Sequence, residues 1–341
     1  MKTSTKVILI TATSLVVVGL GLTAVASAAG GGFGNVVITS PDYEEVNYDF
    51  TSDINKLDIQ ESSHDVEFIK SADSDTHVTV YDAKTYEHKV EVTGDTLKIT
   101  SKSSKKAWYL NVGINVTNDS KIKTKIYLPE EKYDELLINV SSSDITVPSE
   151  FTFENTGIVS SSGDIFFSSK VENTCTVKTS SGEVILDDTD AKAVTVTTSS
   201  GDQDIRNLNG SEVKIEASSG EILIENCDLT GLSSVSSSGN LNLTDVKVEG
   251  ALDFQTSSGE IRLVNISADK MTGRSSSGDI TLSDLVLTSE SSINTSSGDV
   301  DVKNSSFFYD VTTSSGDIKV DNNKEGVTLK IETTSGDVTA R

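Results

Sequence analysis

The sequence predicts an all-β protein: a parallel β-solenoid with coils of about 19 residues and a less regular N-terminal β segment. Two observations lead to this prediction. A short phrase of the type Ser-Ser-Gly-Asp recurs at nearly constant spacing, and apolar residues alternate with polar ones on both sides of each copy. The alternation has the period of β-strands with one buried face, and constant spacing indicates stacked repeats.

The recurring phrase is centred on ten glycines spaced 18 to 20 residues apart. Because glycine reaches positive φ without steric cost, and Asp or Asn tolerates turn geometry, we expect each copy to be a corner of the chain. Ser143 and His64 occupy the glycine position in two more distant copies. The glycines are Gly163, Gly182, Gly201, Gly220, Gly239, Gly259, Gly278, Gly298, Gly316 and Gly336.

Apolar residues flank each glycine at fixed offsets, two and four places after it and seven and five places before it. The position three before the glycine holds a small residue. Two short strands cannot bury a face alone, whereas strands stacked about 4.8 Å apart pair with the copies above and below them. We therefore expect two strands per coil, with Ile318 and Val320 of the Gly316 copy pointing inward. A β-sandwich, the rival architecture, does not explain the constant period.

The first 30 residues differ in kind from the rest. Lys2 and Lys6 precede an apolar run from Val7 to Val25, and Ala26-Ser27-Ala28 follows it. This pattern predicts a secretory signal peptide or, because the run is long, an uncleaved N-terminal membrane anchor. The protein is then secreted or at the cell surface, and meets a membrane only through this segment if it is not cleaved.

After the leader, the chain is predicted to consist of segments that differ in how regular the repeat is. The predicted order is leader or anchor at 1–30, linker at 31–45, irregular N-terminal β coils at 46–140 and regular solenoid repeats at 141–341.

The net negative charge of the chain limits the classes of molecule that it can bind by electrostatic attraction. The chain has 28 basic and 52 acidic residues and a net charge of −24. Such a surface repels nucleic acid and anionic membranes and attracts cations, including cationic peptides. A basic cluster at Lys102, Lys105 and Lys106 lies beside Trp108. A loop before a strand that buries Trp108 explains this cluster better than a contact patch does.

The residue after each corner glycine forms a predicted acidic column. Stacked carboxylates repel one another, and a cation would lower that repulsion. One carboxylate per coil is a thin ligand set for calcium, so the alternatives are solvated turn residues and a column that binds cations weakly. The acidic column comprises Asp164, Glu183, Asp202, Glu221, Glu260, Asp279, Asp299, Asp317 and Asp337.

The histidines, the cysteines and the breaks in the repeat give little indication of a catalytic site. The histidines His64, His77 and His88 lack the H-x-H or HExxH spacing of metal sites, and no pattern predicts a cofactor. The largest break in the regular repeat is Gln203, which replaces an apolar residue and is a weak candidate for an active site. Cys175 and Cys227 occupy apolar positions two to three coils apart, so we expect buried free thiols rather than a disulfide.

The entry segment "INKLDIQESSHDVEF", the hairpin "VEVTGDTLKIT" and the strand "KIYLPEEKYDELLINVSSSDITV" precede the Ser-Ser-Gly-Asp repeats. In this combination the chain resembles the bacterial "putative adhesin" family of unknown function, the LiaG-like envelope proteins, over about residues 50 to 341. The resemblance implies an extracytoplasmic β-solenoid, with links in some members to envelope stress responses. It implies no catalytic residues.

These observations predict a non-enzymatic, extracytoplasmic binding or adhesion module whose partners are cell-surface or envelope components. The first alternative is an envelope-stress sensor or regulator that binds cationic peptides on its acidic face. The second alternative is a carbohydrate-active solenoid enzyme.

Overall fold

A computed structural model describes residues 42–103, 122–321 and 326–341. The predicted leader or anchor at 1–30, most of the linker, and Trp108 of the basic cluster lie outside these ranges. All described strands belong to one compact unit, residues 43–104 and 120–341. Within the described ranges, no helix is long and apolar enough to cross a membrane.

The described residues form 26 strands. Those of the N-terminal part are β1 (Glu44–Phe50), β2 (Lys56–Glu61), β3 (Asp65–Lys70), β4 (Thr76–Asp82), β5 (Tyr86–Thr93), β6 (Thr96–Ser103), β7 (Lys123–Leu128), β8 (Lys132–Val140) and β9 (Ile145–Val147). The others are β10 (Thr152–Ser162), β11 (Ile165–Phe167), β12 (Lys170–Ser181), β13 (Val184–Asp187), β14 (Ala193–Thr198), β15 (Gln203–Arg206), β16 (Asn209–Ala217), β17 (Ile222–Ser236), β18 (Leu241–Thr256), β19 (Ile261–Ser275), β20 (Ile280–Leu287), β21 (Ser291–Thr295), β22 (Val300–Lys303), β23 (Phe308–Thr313), β24 (Ile318–Val320), β25 (Thr328–Thr333) and β26 (Val338–Ala340).

The regular strands stack in parallel register, which confirms the predicted β-solenoid. Equivalent residues of successive copies face each other, as Ile224 faces Leu243 where β17 lies on β18. These strands are longer than predicted because the connection between the two expected segments also pairs. In β17 this third segment is Cys227–Leu229. Each such coil therefore has three straight segments and buries three sets of alternating side chains.

The predicted interior is present in most coils. At the offsets of two and four after the glycine, Val184, Leu186, Ile222 and Ile224 are fully buried, and the same holds before the glycine. The alternation of buried and exposed side chains follows directly from the period of a β-strand.

A second corner, which the sequence analysis missed, lies six residues after each of seven glycines. Its residues have φ of 50 to 57°, in the left-handed region that Asn and Asp tolerate better than other side chains. Side-chain amides of the Asn residues among them link adjacent coils, as Asn226 Nδ2 donates to Asn207 Oδ1 over 2.6 Å. The seven are Asp188, Asn207, Asn226, Asp245, Asn265, Asp284 and Asn304.

The corner glycines are required mainly for close stacking. A Cβ on Gly239 would lie 1.7 Å from the carbonyl oxygen of Gly220 in the neighbouring coil, and at the other nine corners the nearest backbone oxygen would be 1.8–2.3 Å away. Among the ten corner glycines, only Gly163 and Gly220 have positive φ. The prediction that positive φ selects glycine at these corners is therefore wrong for the other eight.

The C-terminal coils do not stack in chain order. β25 pairs with β21 on one edge and with β23 on the other, and β26 lies likewise between β22 and β24. The last coil of the chain is thus inserted beneath the Gly316 copy, which ends the described stack. Ile318 and Val320 keep the predicted inward register, stacked on the buried Val338 and Ala340. Because no described coil covers them, however, Ile318 is 48% exposed and Val320 is only half-buried.

The N-terminal end is the less regular segment that the sequence predicts. The first coil, β2 and β3, lies between β8 and β9 on one side and β6 and β7 on the other. β5 then pairs antiparallel with β6, β4 with β7, and β1 with β4. We refer to β1 and β4–β7 as the N-terminal cap.

Candidate functional site

A cluster of buried polar side chains lies where the first coil meets the N-terminal cap. Glu61 ends β2, His64 lies in the following corner, and His88 lies on β5 of the cap. All three are buried in an interior that is otherwise mostly apolar. In the register of the repeat, Glu61 takes the position of the small residue and His64 that of the glycine.

Glu61 performs the task that a hydroxyl performs at the regular corners. There, the Ser or Thr three places before the glycine accepts a hydrogen bond from the glycine amide, as Ser236 Oγ does from Gly239 N at 2.9 Å. At the first coil, Glu61 Oε1 accepts from the amide of Ser62 at 2.8 Å and from that of Ser63 at 3.3 Å. The second carboxylate oxygen remains available for other partners.

That second oxygen faces the cap. Glu61 Oε2 lies 2.9 Å from His88 Nε2 and accepts a hydrogen bond from Thr124 Oγ1 at 3.0 Å. The hydroxyl of Tyr86 donates a short hydrogen bond to Oε1. On the far side of the imidazole, His88 Nδ1 lies 2.7 Å from Asp82 Oδ1. His88 therefore lies between two carboxylates.

These contacts set the charges of the pair. Burial raises the pKa of Glu61, but hydrogen bonds from His88 and Tyr86 and the charge of His88 outweigh it, and the pKa falls to about 2. Burial lowers the pKa of His88, but the hydrogen bonds and charges of Glu61 and Asp82 outweigh it, and the pKa is raised. The pair is a buried carboxylate and imidazolium.

The burial of His64 is not offset by hydrogen bonds to its ring from the part of the chain that the structure describes. Burial lowers the pKa of its ring, so it is neutral. Its ring contacts those of Tyr43, Tyr86 and His88, with centroids 5.3, 4.6 and 5.4 Å away. Neither ring nitrogen has a hydrogen-bond partner among the described residues. A buried polar group without a partner costs about 1–3 kcal/mol, so His64 is an unfavourable element of this cluster as it stands.

The predicted acidic column is exposed along the corners, and part of it joins adjacent coils. Asp202 Oδ1 accepts a hydrogen bond from the amide of Glu221 at 2.8 Å, and Asp279 Oδ1 accepts one from that of Asp299 at 2.9 Å. Asp164, Asp299 and Asp337 act in the same way. The short side chain of Asp reaches the next amide, which gives the column a structural role. Binding of cations by the column stays a prediction.

The other residues singled out in the sequence are accommodated by the interior. Gln203 is buried, and its Nε2 donates to Thr198 Oγ1 at 2.9 Å and to the carbonyl of Glu216 at 3.1 Å. This break in the pattern therefore bonds within the solenoid. Cys175 and Cys227 are buried free thiols, as predicted.

A shallow polar groove of about 360 Å³ runs across the outer surface of four stacked coils. The outward residue four places before the corner glycine lines it in each coil: Gln255, Arg274, Asn294 and Glu332. Ser and Thr of the corners complete it. The groove is thus built from equivalent positions of the repeat, and the sequence analysis did not identify it because those positions vary in residue type.

Stacked parallel coils with repeated corners define a β-solenoid repeat protein. The chain belongs to the Toastrack DUF4097 family, which matches it over residues 54–244 and 228–341. This agrees with the resemblance to the "putative adhesin" family of unknown function.

Solved structures with similarity to the chain come from three bacteria. A "putative lipid binding protein" from Parabacteroides distasonis is 18% identical, with 89% of this chain and 99% of that chain covered and a TM-score of 0.34. A "putative adhesin" from Bacteroides fragilis is 16% identical, with 89% and 100% covered and a TM-score of 0.26. A "putative cell adhesion protein" from Clostridium sporogenes is 8% identical, with 87% and 99% covered and a TM-score of 0.17. No curated protein matches the chain.

Proposed function

We propose that the protein is a non-enzymatic binding module of the bacterial cell envelope, secreted or displayed at the surface, and that its groove binds an extended polar polymer such as a cell-surface glycan. The observation that carries the proposal is the groove over four coils. One amide, guanidinium or carboxylate per coil is available at equivalent positions, in Gln255, Arg274, Asn294 and Glu332. A linear polymer can bond to each in turn.

The groove is a poor match for glycan cleavage. Glycoside hydrolases mostly use two carboxyl groups, about 5–9.5 Å apart. Among the described residues that line the groove, Glu332 is the one carboxylate. This supports binding over the carbohydrate-active alternative, and a screen of glycan hydrolysis tests it directly. Turnover by the purified protein would overturn the non-enzymatic proposal.

The binding proposal is tested with purified cell-wall fractions and glycan arrays. Arg274→Ala removes a donor from the groove, and we expect weaker binding. Arg262→Ala is the matched control, because Arg262 is an exposed arginine of the same strand, β19, that does not line the groove. Equal binding by wild type and Arg274→Ala, or equal losses in both variants, would contradict the groove as the binding surface.

Binding of cationic peptides is the second candidate, and the exposed acidic column together with the net charge of −24 favours it. Calorimetric titration with polylysine at low and at physiological salt is the test. We expect affinity to fall with salt because exposed charges are screened over about 8–10 Å at 0.1–0.15 M. Asp202→Asn combined with Asp279→Asn keeps the backbone hydrogen bonds and removes charge. If the affinity changes neither with salt nor with these substitutions, the acidic column is not the binding surface for cationic peptides.

A further inference from the structure

We propose that Glu61, His64 and His88 form a site for a divalent transition metal of the zinc class, which joins the first coil to the N-terminal cap. One ligand atom from each residue lies within 4.8 Å of the others. The site is distinct from the groove and does not depend on the proposed function. Its three donors come from β2, from the corner that follows it, and from β5.

The donor set fits zinc. Two imidazole nitrogens and one carboxylate oxygen are ligands that Zn²⁺ accepts in tetrahedral sites, with the fourth position open to water. Bonds of about 2.0–2.1 Å place tetrahedral donors roughly 3.3 Å apart. Glu61 Oε2 and His88 Nε2 are already 2.9 Å apart. Since all three ligand atoms lie within 4.8 Å of one another, closure onto a metal requires mainly that the ring of His64 move by up to about 1.5 Å.

The surrounding groups are those that orient metal ligands. The bond from His88 Nδ1 to Asp82 Oδ1, over 2.7 Å, leaves Nε2 directed at the site. A carboxylate behind a metal-binding histidine is the common outer partner in zinc sites, because it fixes the tautomer. Thr124 and Tyr86 hold the carboxylate of Glu61 from two further directions. The ligands are thus held by partners of their own.

A metal also resolves the unfavourable feature of the cluster, which is the unsatisfied ring of His64. It gives His64 the partner that neither ring nitrogen has among the described residues.

The corner of the first coil differs from the ten glycine corners at two positions, and unlike the Ser143 corner, which holds Val140 and Ser143 there, it holds two residues of metal-ligand type. At the ten glycine corners the two positions hold glycine and Ser, Thr or Ala, and a Cβ at most of them would overlap the neighbouring backbone. At the first coil both positions change together, to His64 and Glu61. The paired change supplies two ligands at one point, next to a cap strand that supplies the third.

The test uses the full chain, refolded after EDTA treatment and titrated with Co²⁺ as a spectroscopic probe and with Zn²⁺ in competition. We expect one site per chain, tetrahedral Co²⁺ absorption and a higher melting temperature with Zn²⁺. His64→Gly restores the residue of the regular corners, and we expect it to weaken Co²⁺ binding by roughly 100-fold or more, since even outer partners account for about 10–100-fold.

The matched control is His77→Gln, which alters an exposed histidine that also lies between two carboxylates, those of Asp49 and Asp73. Binding by wild type that His64→Gly leaves intact, or that His77→Gln abolishes, overturns the proposal. So does the absence of tetrahedral Co²⁺ absorption. If His64→Gly does not fold, X-ray absorption of the Zn²⁺-loaded wild type decides, because fewer than two histidine ligands would refute the site.

Discussion

A single buried hydroxyl holds the backbone at many of the corners. The side chain three places before the glycine accepts from the glycine amide in the coils of Gly239, Gly259, Gly278, Gly298 and Gly336. The position must be small because it lies in the crowded interior, and a polar side chain there satisfies an amide that has turned away from the strand ladder. Ser and Thr meet both requirements, and Glu61 meets the second one at the first coil. Ala217 at the Gly220 corner is small but supplies no such acceptor.

Thr256→Val tests this hydroxyl. Valine has nearly the same shape, but the amide of Gly259 loses an acceptor at 3.1 Å. We expect the free energy of unfolding to fall by about 1–2 kcal/mol, measured by urea denaturation. Thr256→Ser keeps the acceptor and should lose less. A valine variant as stable as wild type would show that the corner hydrogen bond contributes nothing.

The two thiols should be inert in the folded protein. Burial raises the pKa of Cys175 to about 12 and that of Cys227 to about 11, so the reactive thiolate is scarce near neutral pH. Ellman's reagent should therefore label neither cysteine until denaturant is added, and should then label two. Rapid labelling of the native protein would contradict the burial of these side chains.

His77 should make stability depend on pH. Hydrogen bonds to Asp49 and Asp73 raise its pKa above 6.5. A raised pKa in the folded state adds stability below pH 6.5, and the gain is lost as pH rises through the folded-state pKa. Denaturation at pH 6 and pH 9 should show the stability difference between wild type and His77→Gln shrink at the higher pH. The effect should be small because the ring is partly exposed, and a difference that grows with pH would refute it.

At the scale of the element, the spacing of the coils depends on how closely the glycine corners of adjacent coils approach each other. Glycine carbonyls lie where the Cβ of the next corner would be, so corner glycines support one another along the stack. Where the corner carries an exposed Asp, its carboxylate also bonds the next coil, as Asp202 does with the amide of Glu221. The corner phrase is therefore a device for stacking rather than a repeated ligand site.

Gly239→Ala should be among the most destabilising substitutions at the glycine corners. Its Cβ would lie 1.7 Å from the carbonyl oxygen of Gly220, which is backbone and cannot rotate away. We expect a loss of about 3 kcal/mol or more in the free energy of unfolding. Gly231→Ala is the control, because its Cβ would meet only the side chain of Glu212 at 3.7 Å. Similar losses in both variants would show that corner crowding is not the cause.

At the scale of the whole compact unit, neither the first nor the last solenoid coil in chain order lies at an end of the described stack. The first coil, β2 and β3, and the last coil, β25 and β26, each have a strand neighbour on both edges. A solenoid coil is stabilised mainly by its neighbours. A terminal coil at the end of the stack would fray, and insertion between two coils gives it twice the pairing.

Removal of residues 326–341 tests this order. β23 pairs with β25, so the truncation should leave β23 without its strand partner. We expect the amides of Phe308–Thr313 to lose protection in hydrogen exchange, while those of β17 and β18 keep it. Retained protection in β23 would mean that its pairing does not depend on β25.

The sequence alone determined the solenoid, its period, its interior columns and the state of its cysteines. These follow from spacing and from the alternation of buried and exposed residues, which act within one coil and its copies. The tertiary structure decided the order of coils at both ends, because a phrase shared by every coil lets any coil stack on another. It also brought His88 to Glu61, 27 residues earlier, through the antiparallel pairing of β5 that no repeat specifies.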